Sequence, residues 1–340
     1  MSETNKFEFI PDIPKELLPE ILNGNVIVFV GNGVSRLAGI PSWKELAHMY
    51  LEDWREDENT DLSYDVYEKL KREKIDPLEL LTICAGKLGK KKIKEQLFAK
   101  LNGSLSEKSK EKIQRIYGYI RDFNAGYITT NYDSYLEMSN PQNSMLSEGN
   151  SKPNVDVSKR LTRVELNDNL ESIEDKIVYL HGKAEDPNSP EKNGIRNDII
   201  LTLEDYLGHY KDNGGLGKEF LGKIFRNHIF LFIGFGLKEF EIIQHIQRPD
   251  NNYSHYILLG VSDYEYTIKE QYEKYYRILN ITPIFYNMSQ KGYHQLEDVL
   301  QKWSFIIRNA REDGLKELER SDKEAENFKQ IRSLNNGTFK

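Results

Sequence analysis

Apolar positions along this chain follow two patterns. Short unbroken runs rich in β-branched and aromatic residues recur at Val26–Val30, Gly126–Thr130, Lys176–Leu180, Ile199–Leu201, Ile229–Ile233, Tyr256–Gly260 and Thr282–Tyr286. Runs of this kind suit strands buried on both faces. Elsewhere the apolar residues return every three or four positions, the period of a helix with one buried face. Trp43, Leu46, Ala47, Tyr50, Leu51 and Trp54 make one such stripe; Leu78, Leu81, Ala85 and Leu88 make a second; Ile113, Ile116, Tyr117 and Ile120 a third. Ser42 and Glu45 open the first stripe at the spacing of a capping box. Further helices are predicted over Lys15–Leu22, Glu265–Leu279 and Tyr293–Ile307. Strands alternating with helices through long connections predict an α/β fold, a Rossmann-like, mostly parallel sheet with helices on both faces. The helical run from residue 43 to about residue 123 parts the first strand from the second and reads as an insertion of three or four helices. Ser139–Asn169 is polar and irregular and reads as a loop or small lobe, and Lys183–Asn197, rich in Pro, Asn and Gly, as an exposed loop. One domain is expected over residues 1–310. A highly charged tail, 311–340, follows it as a helix, an arm for a partner or a disordered segment.

Composition narrows the function classes. The chain has 340 residues, 38% of them hydrophobic, and 20 tyrosines, which is enough to build a core rather than a disordered polymer. A net charge of −7 leaves no global footprint for nucleic acid, so direct nucleic-acid binding is not expected. Five lysines between Lys87 and Lys94 read as a solvated helix face in preference to a binding patch. No run is long and apolar enough to span a membrane, and no secretory leader is visible. A single cysteine, Cys84, rules out internal disulfides and cysteine-rich zinc modules. A cytoplasmic location is expected, with no metal.

The chemistry gathers at strand ends. Gly31 and Gly33 follow the first strand directly, where a bare backbone and a helix start can receive an anion. A dehydrogenase fingerprint needs a third glycine at position 36, which is Arg36, and an acidic ribose ligand at the end of a second strand. Here Glu52 and Asp53 lie in a helical pattern instead. Three later strands end on Thr129-Thr130-Asn131-Tyr132-Asp133, on His181-Gly182 and on Gly234-Phe235-Gly236. A parallel sheet brings such ends to one edge.

The ordered set Gly31-Asn32-Gly33-Val34-Ser35, Gly39-Ile40-Pro41, Thr130-Asn131-Tyr132-Asp133, His181-Gly182 and Gly234-Phe235-Gly236 resembles the sirtuin-like NAD-binding family. More narrowly, it resembles the bacterial sirtuin-like proteins of anti-phage defence. The resemblance covers about residues 20–310, and Ile200–Tyr206 also matches a stretch found after the family's His-Gly. It implies that Gly31, Gly33 and Ser35 hold pyrophosphate and ribose, with Asn32 and Arg36 beside them. It implies that Thr130, Asn131 and Asp133 line the nicotinamide-ribose pocket, that Gly234, Phe235 and Gly236 complete the cofactor site, and that His181 meets the ribose hydroxyls as general base. Asn131, His181 and Asp133 are then the catalytic set. Asn32 stands where the family usually has alanine, Gly236 where serine or threonine is common, and Glu239 where many relatives have aspartate. The zinc lobe of the protein-deacylating branch needs four thiolates, which this chain lacks.

The resemblance therefore implies an NAD hydrolase that releases nicotinamide and ADP-ribose, with NAD as substrate. Such an enzyme would deplete NAD in a bacterial anti-phage defence system and stay inactive until triggered. Control would come from homo-oligomerisation, from a bound signal nucleotide, or from a separate protein, such as a hexameric ATPase, a nucleotide-processing enzyme or an Argonaute-type partner. The alternative is a non-catalytic module that senses NAD, ADP-ribose or a related nucleotide for a partner.

Overall fold

The computed structural model of the chain describes residues 10–73, 75–103, 105–137, 160–162, 173, 176–186, 199–210, 216–237, 239–246 and 254–314. Seven strands form one sheet: β1 (Val26–Val30), β2 (Gly126–Thr129), β3 (Arg160–Thr162), β4 (Ile177–Tyr179), β5 (Ile229–Ile233), β6 (His255–Val261) and β7 (Ile281–Asn287). Their order is β3-β4-β2-β1-β5-β6-β7, and every neighbouring pair is parallel. The expected α/β Rossmann-like class is the observed one.

Strand alternation explains the layers. Val26, Val28 and Val30 point into one core, built with Leu46, Tyr50, Leu81, Ile93, Leu97, Ile116 and Ile120 of the insertion and Trp303 of the last helix. Ile27 and Phe29 point into a second core with Leu221, Ile224 and Phe225, Ile242 and Tyr276. All five β1 residues are buried, which is why β1 reads as a continuous apolar run instead of an alternating one.

Order reverses at β1, which has β2 on one side and β5 on the other. In an open parallel sheet this is the switch point, where loops at the carboxyl ends diverge and leave a crevice. The loops after β1, β2 and β5 meet there.

Several expectations need correction. The insertion holds five helices, at Trp43–Glu56, Tyr64–Arg72, Pro77–Leu88, Lys90–Asn102 and Glu107–Arg121. Gly89, at φ +92°, separates two of them within what reads as one charged stretch. Ile199–Leu201 is not a strand. Its backbone is spent locally instead, with the Ile200 N–H donating to the His181 carbonyl and the Ile200 carbonyl accepting from the Tyr132 hydroxyl. β3 lies inside the polar stretch read as a loop, and three residues are too few to carry a periodic signal. The single helix expected over Glu265–Leu279 is two, Asp263–Tyr266 and Lys269–Ile278. The Thr267 hydroxyl there takes the Tyr264 carbonyl at 2.6 Å, and Ile268 has left helical geometry. The expected Lys15–Leu22 helix begins at Leu17, and the last helix spans 295–314. Most of the Ser139–Asn169 and Lys183–Asn197 loops, and the tail beyond residue 314, lie outside the described residues.

Candidate functional site

A cleft of about 550 Å³ opens at the switch point, within the range of small-molecule sites. One side is the glycine turn after β1. The Gly31 N–H donates to the Ile233 carbonyl and the Gly33 N–H to the Gly234 carbonyl, both at 2.9 Å. A Cβ on Gly31 would lie 2.5 Å from the Gly234 carbonyl oxygen, and one on Gly33 2.7 Å from it. Gly234 itself sits at φ +62°, and a Cβ there would lie 2.6 Å from the Val34 nitrogen. The glycines are thus required first by the close approach of two loops. Gly33, Asn32 and Arg36 line the cleft beside Gly234, Phe235 and Gly236. Arg36 is the only cationic lining side chain among the described residues, and its contact to Glu45, 3.9 Å with both groups largely exposed, leaves it available.

The floor comes from β2. Thr129 Oγ1 donates to the Val30 carbonyl at 2.8 Å and accepts from the Asn131 N–H at 3.0 Å, which fixes the backbone as it leaves the sheet. Thr130, Asn131 and Asp133 all line the cleft and are nearly fully buried. Behind them is a buried polar cluster. Ser35 Oγ donates to Asp133 Oδ2 at 2.7 Å and lies 2.8 Å from the Tyr117 hydroxyl. Asn131 Nδ2 donates to both of these hydroxyl oxygens, at 3.1 Å each. Asn131 Oδ1 has no hydrogen-bond partner among the described residues. Burial pushes the Asp133 carboxyl above the usual carboxylate range, against the opposing pull of bonds from Ser35 and the Tyr135 N–H. Burial likewise holds the Tyr117 phenol well above its ordinary value.

The remaining wall is aromatic. Trp43 stacks on Tyr132 with centroids 6.3 Å apart, and Tyr206 donates to Glu239 Oε2 at 3.2 Å. All four line the cleft. His181 does not. It has no solvent exposure and lies behind Trp43 and Tyr206, with ring centroids 6.2 and 5.5 Å away. Its Nε2 is 3.1 Å from the Tyr210 hydroxyl and 3.6 Å from Glu239 Oε2. Burial draws its pKa down to about 3, so the ring is neutral near pH 7 and the Glu239 contact is not an ion pair. Two residues on in sequence, Lys183 forms a buried 2.8 Å ion pair with Glu137, tying the loop after β4 to the turn that follows Asp133.

The helix carrying Tyr206 and Tyr210, Leu203–Tyr210, is anchored to the insertion. Asp205 Oδ2 accepts from the N–H groups of Leu201 and Thr202, and the carboxylate also takes Lys90 and Lys94 at 2.8 and 2.9 Å. Burial works to raise the Asp205 pKa, but the lysine bonds overcome it and hold the carboxyl at about 2. Lys87 and Lys92 pair with Asp61 and Asp57. Four of the five clustered lysines therefore serve ion pairs within the chain.

Of the residues singled out by motif, the structure brings Asn32, Gly33, Arg36, Thr130, Asn131, Asp133, Gly234, Phe235 and Gly236 to the cleft surface. Gly31, Ser35 and His181 lie behind it. Sequence reasoning did not assign Tyr117, Trp43 or Tyr206 to the site. Each belongs to a helical stripe or an aromatic-rich segment, where burial is the ordinary reading. Among the described residues, no group of three or more His, Cys, Asp or Glu gathers as a metal site, and no helix is long and apolar enough to cross a membrane.

No curated protein matches the chain. Residues 125–284 match the family model described as a SIR2-like domain, a match running from β2 into β7 and including the loops after β2, β4 and β5. By that match, and in keeping with its parallel sheet, the chain is similar to sirtuin-like proteins over residues 125–284.

Proposed function

We propose that the cleft binds NAD and hydrolyses its nicotinamide–ribose bond. The observation that carries this reading is Asn131, a buried carboxamide on the cleft floor whose Nδ2 is fully engaged and whose Oδ1 is not. Oδ1 is itself buried in the described conformation, so orienting a water molecule for attack on the ribose carbon would require the cleft floor to open at that atom. The lining suits the rest of NAD. Arg36 offers a positive charge to the diphosphate, Trp43, Leu46 and Phe235 offer apolar surface to flat rings, and the carboxylates of Asp133 and Glu239 suit the cationic pyridinium.

In the reaction the bond between the ribose carbon and the pyridinium nitrogen breaks, and its electron pair leaves with neutral nicotinamide. The water oxygen bonds to the ribose carbon, giving ADP-ribose and one proton. Asp133 or Glu239, both on the cleft surface, can take that proton. His181 supports the wall through Tyr210 in the described conformation. Service as general base would require Tyr206 to move.

The sealed position of His181 favours a second reading, a pocket that binds a nucleotide and reports it without turnover. Nicotinamide release from NAD by purified protein, followed alongside calorimetric titration with ADP-ribose, separates the two. Release with balanced ADP-ribose supports the hydrolase. Tight ADP-ribose binding with no release across a protein concentration series supports the sensor.

The wider proposal is an NAD-depleting effector of cytoplasmic anti-phage defence, silent until triggered through self-assembly or a separate defence protein. It rests on the order of the motifs. Cellular NAD that stays constant through phage infection of an expressing strain would count against it.

A further inference from the structure

The hydrogen-bond cluster behind Asn131 has a direction that proton counting fixes. Ser35 has one hydroxyl proton, and at 2.7 Å from Asp133 Oδ2 that proton belongs to the carboxylate. The Tyr117 proton is then directed at Ser35 Oγ, 2.8 Å away, or at the Asp133 carboxyl, with which the phenol also interacts, and in neither case at Asn131. Both hydroxyl oxygens keep lone pairs, and the two Nδ2 protons of Asn131 fill one on each. Turning the amide over would set Oδ1 against two oxygens whose protons are already spent. Only one orientation satisfies the cluster.

We infer that Tyr117 is a positioning residue for Asn131, holding the carboxamide with Nδ2 bonded into the cluster and leaving Oδ1, buried in the described conformation, as the unpartnered acceptor that would take the attacking water. Tyr117 belongs to the Glu107–Arg121 helix, so the insertion, and not the sheet alone, sets the site's geometry. Tyr117 is buried and lies off the cleft surface. It acts through Asn131 and does not touch substrate. The inference rests on the NAD-hydrolase reading for its kinetic consequence but not for its structural one.

Tyr117→Phe keeps the ring and removes both the phenol proton and the oxygen that accepts from Asn131. The expected result is a kcat lower by about ten-fold or more with KM for NAD and the Kd for ADP-ribose nearly unchanged. Ser35→Ala should show the same split. A second readout needs no turnover. In protein labelled with nitrogen-15 asparagine, the Asn131 side-chain amide signals, assigned by their loss in Asn131→Ala, should exchange slowly with solvent in the wild type and fast in Tyr117→Phe. Wild-type kcat in Tyr117→Phe, or unchanged amide protection, overturns the inference. A wild-type protein that shows the protection difference but no NAD turnover, at any concentration or with extract of phage-infected cells added, overturns the hydrolase reading and leaves the positioning role standing.

Discussion

Three glycine-to-alanine variants separate backbone strain from loop crowding at the cleft. Gly24 sits at φ +77° with nothing within 4 Å of the new Cβ, so Gly24→Ala carries only the left-handed penalty, about 1–2 kcal/mol. Gly31 has φ −101°, which alanine accepts, but its Cβ would lie 2.5 Å from the Gly234 carbonyl oxygen and the Phe235 Cα. Both are backbone atoms and cannot rotate away, so one loop must shift, at about 1–3 kcal/mol or more. Gly234→Ala combines φ +62° with a Cβ 2.6 Å from the Val34 nitrogen. The two terms together come to about 2–5 kcal/mol. Urea unfolding with a common slope gives the three values directly. The expected order of loss is Gly234→Ala greatest, with Gly31→Ala at or above Gly24→Ala. A Gly31→Ala protein with the wild-type midpoint and only weaker nucleotide binding would refute the interlocked-loop account. It would restore the simpler view that the glycine serves phosphate approach alone.

Other consequences are equally direct. Arg36→Ala should weaken binding of NAD and ADP-ribose by about ten-fold to a hundred-fold, the worth of a hydrogen bond to a charged group, and calorimetry would show it; unchanged affinity would mean the diphosphate lies elsewhere. Burial holds His181 near pKa 3 and His255 near 4, while the unfolded chain protonates both near 6.5. As pH falls, the unfolded chain takes up the extra protons, so stability should drop from about pH 6.5 to about pH 4, by about 1.4 kcal/mol per unit for each histidine. Asp133 works with the opposite sign, its raised carboxyl favouring the folded state at low pH and losing that contribution as pH rises through its folded value. Equal urea midpoints at pH 7 and pH 5 would contradict the histidine assignment. Asp205→Ala strips the carboxylate from Lys94, which is nearly buried, and from the start of the helix bearing Tyr206; a loss of about 2–4 kcal/mol is expected in thermal or urea denaturation, and a loss below about half a kcal/mol would show that the pairs are replaceable by solvent.

The sheet was legible because its strands are apolar on both faces. β1 and β5 match their expected limits, β2 differs by one residue at its end, and β4, β6 and β7 differ by one residue at each end. β3 was not legible, since three residues in a polar stretch have no period to read. The meaning of Gly31 and Gly33 was only half readable, because the backbone that crowds them is Gly234, far along the chain. Tyr117 reads as a core residue, and by burial it is one. Its hydroxyl gains a role only from the pairing of the Glu107–Arg121 helix with the loop after β2. The His181 motif marks the right strand end, yet its accessibility depends on how Trp43 and Tyr206 pack, which no local spacing encodes.

The central claim is that Asn131 orients water for cleavage of NAD. Nicotinamide release should be measured for the wild type and for Asn131→Ala across a protein concentration series, with ADP-ribose affinity measured for both. Release by the wild type, with loss of turnover but retained ADP-ribose affinity in Asn131→Ala, is the predicted result. Undiminished release in Asn131→Ala, or nucleotide binding without release by the wild type at every concentration and with extract of phage-infected cells added, would contradict it.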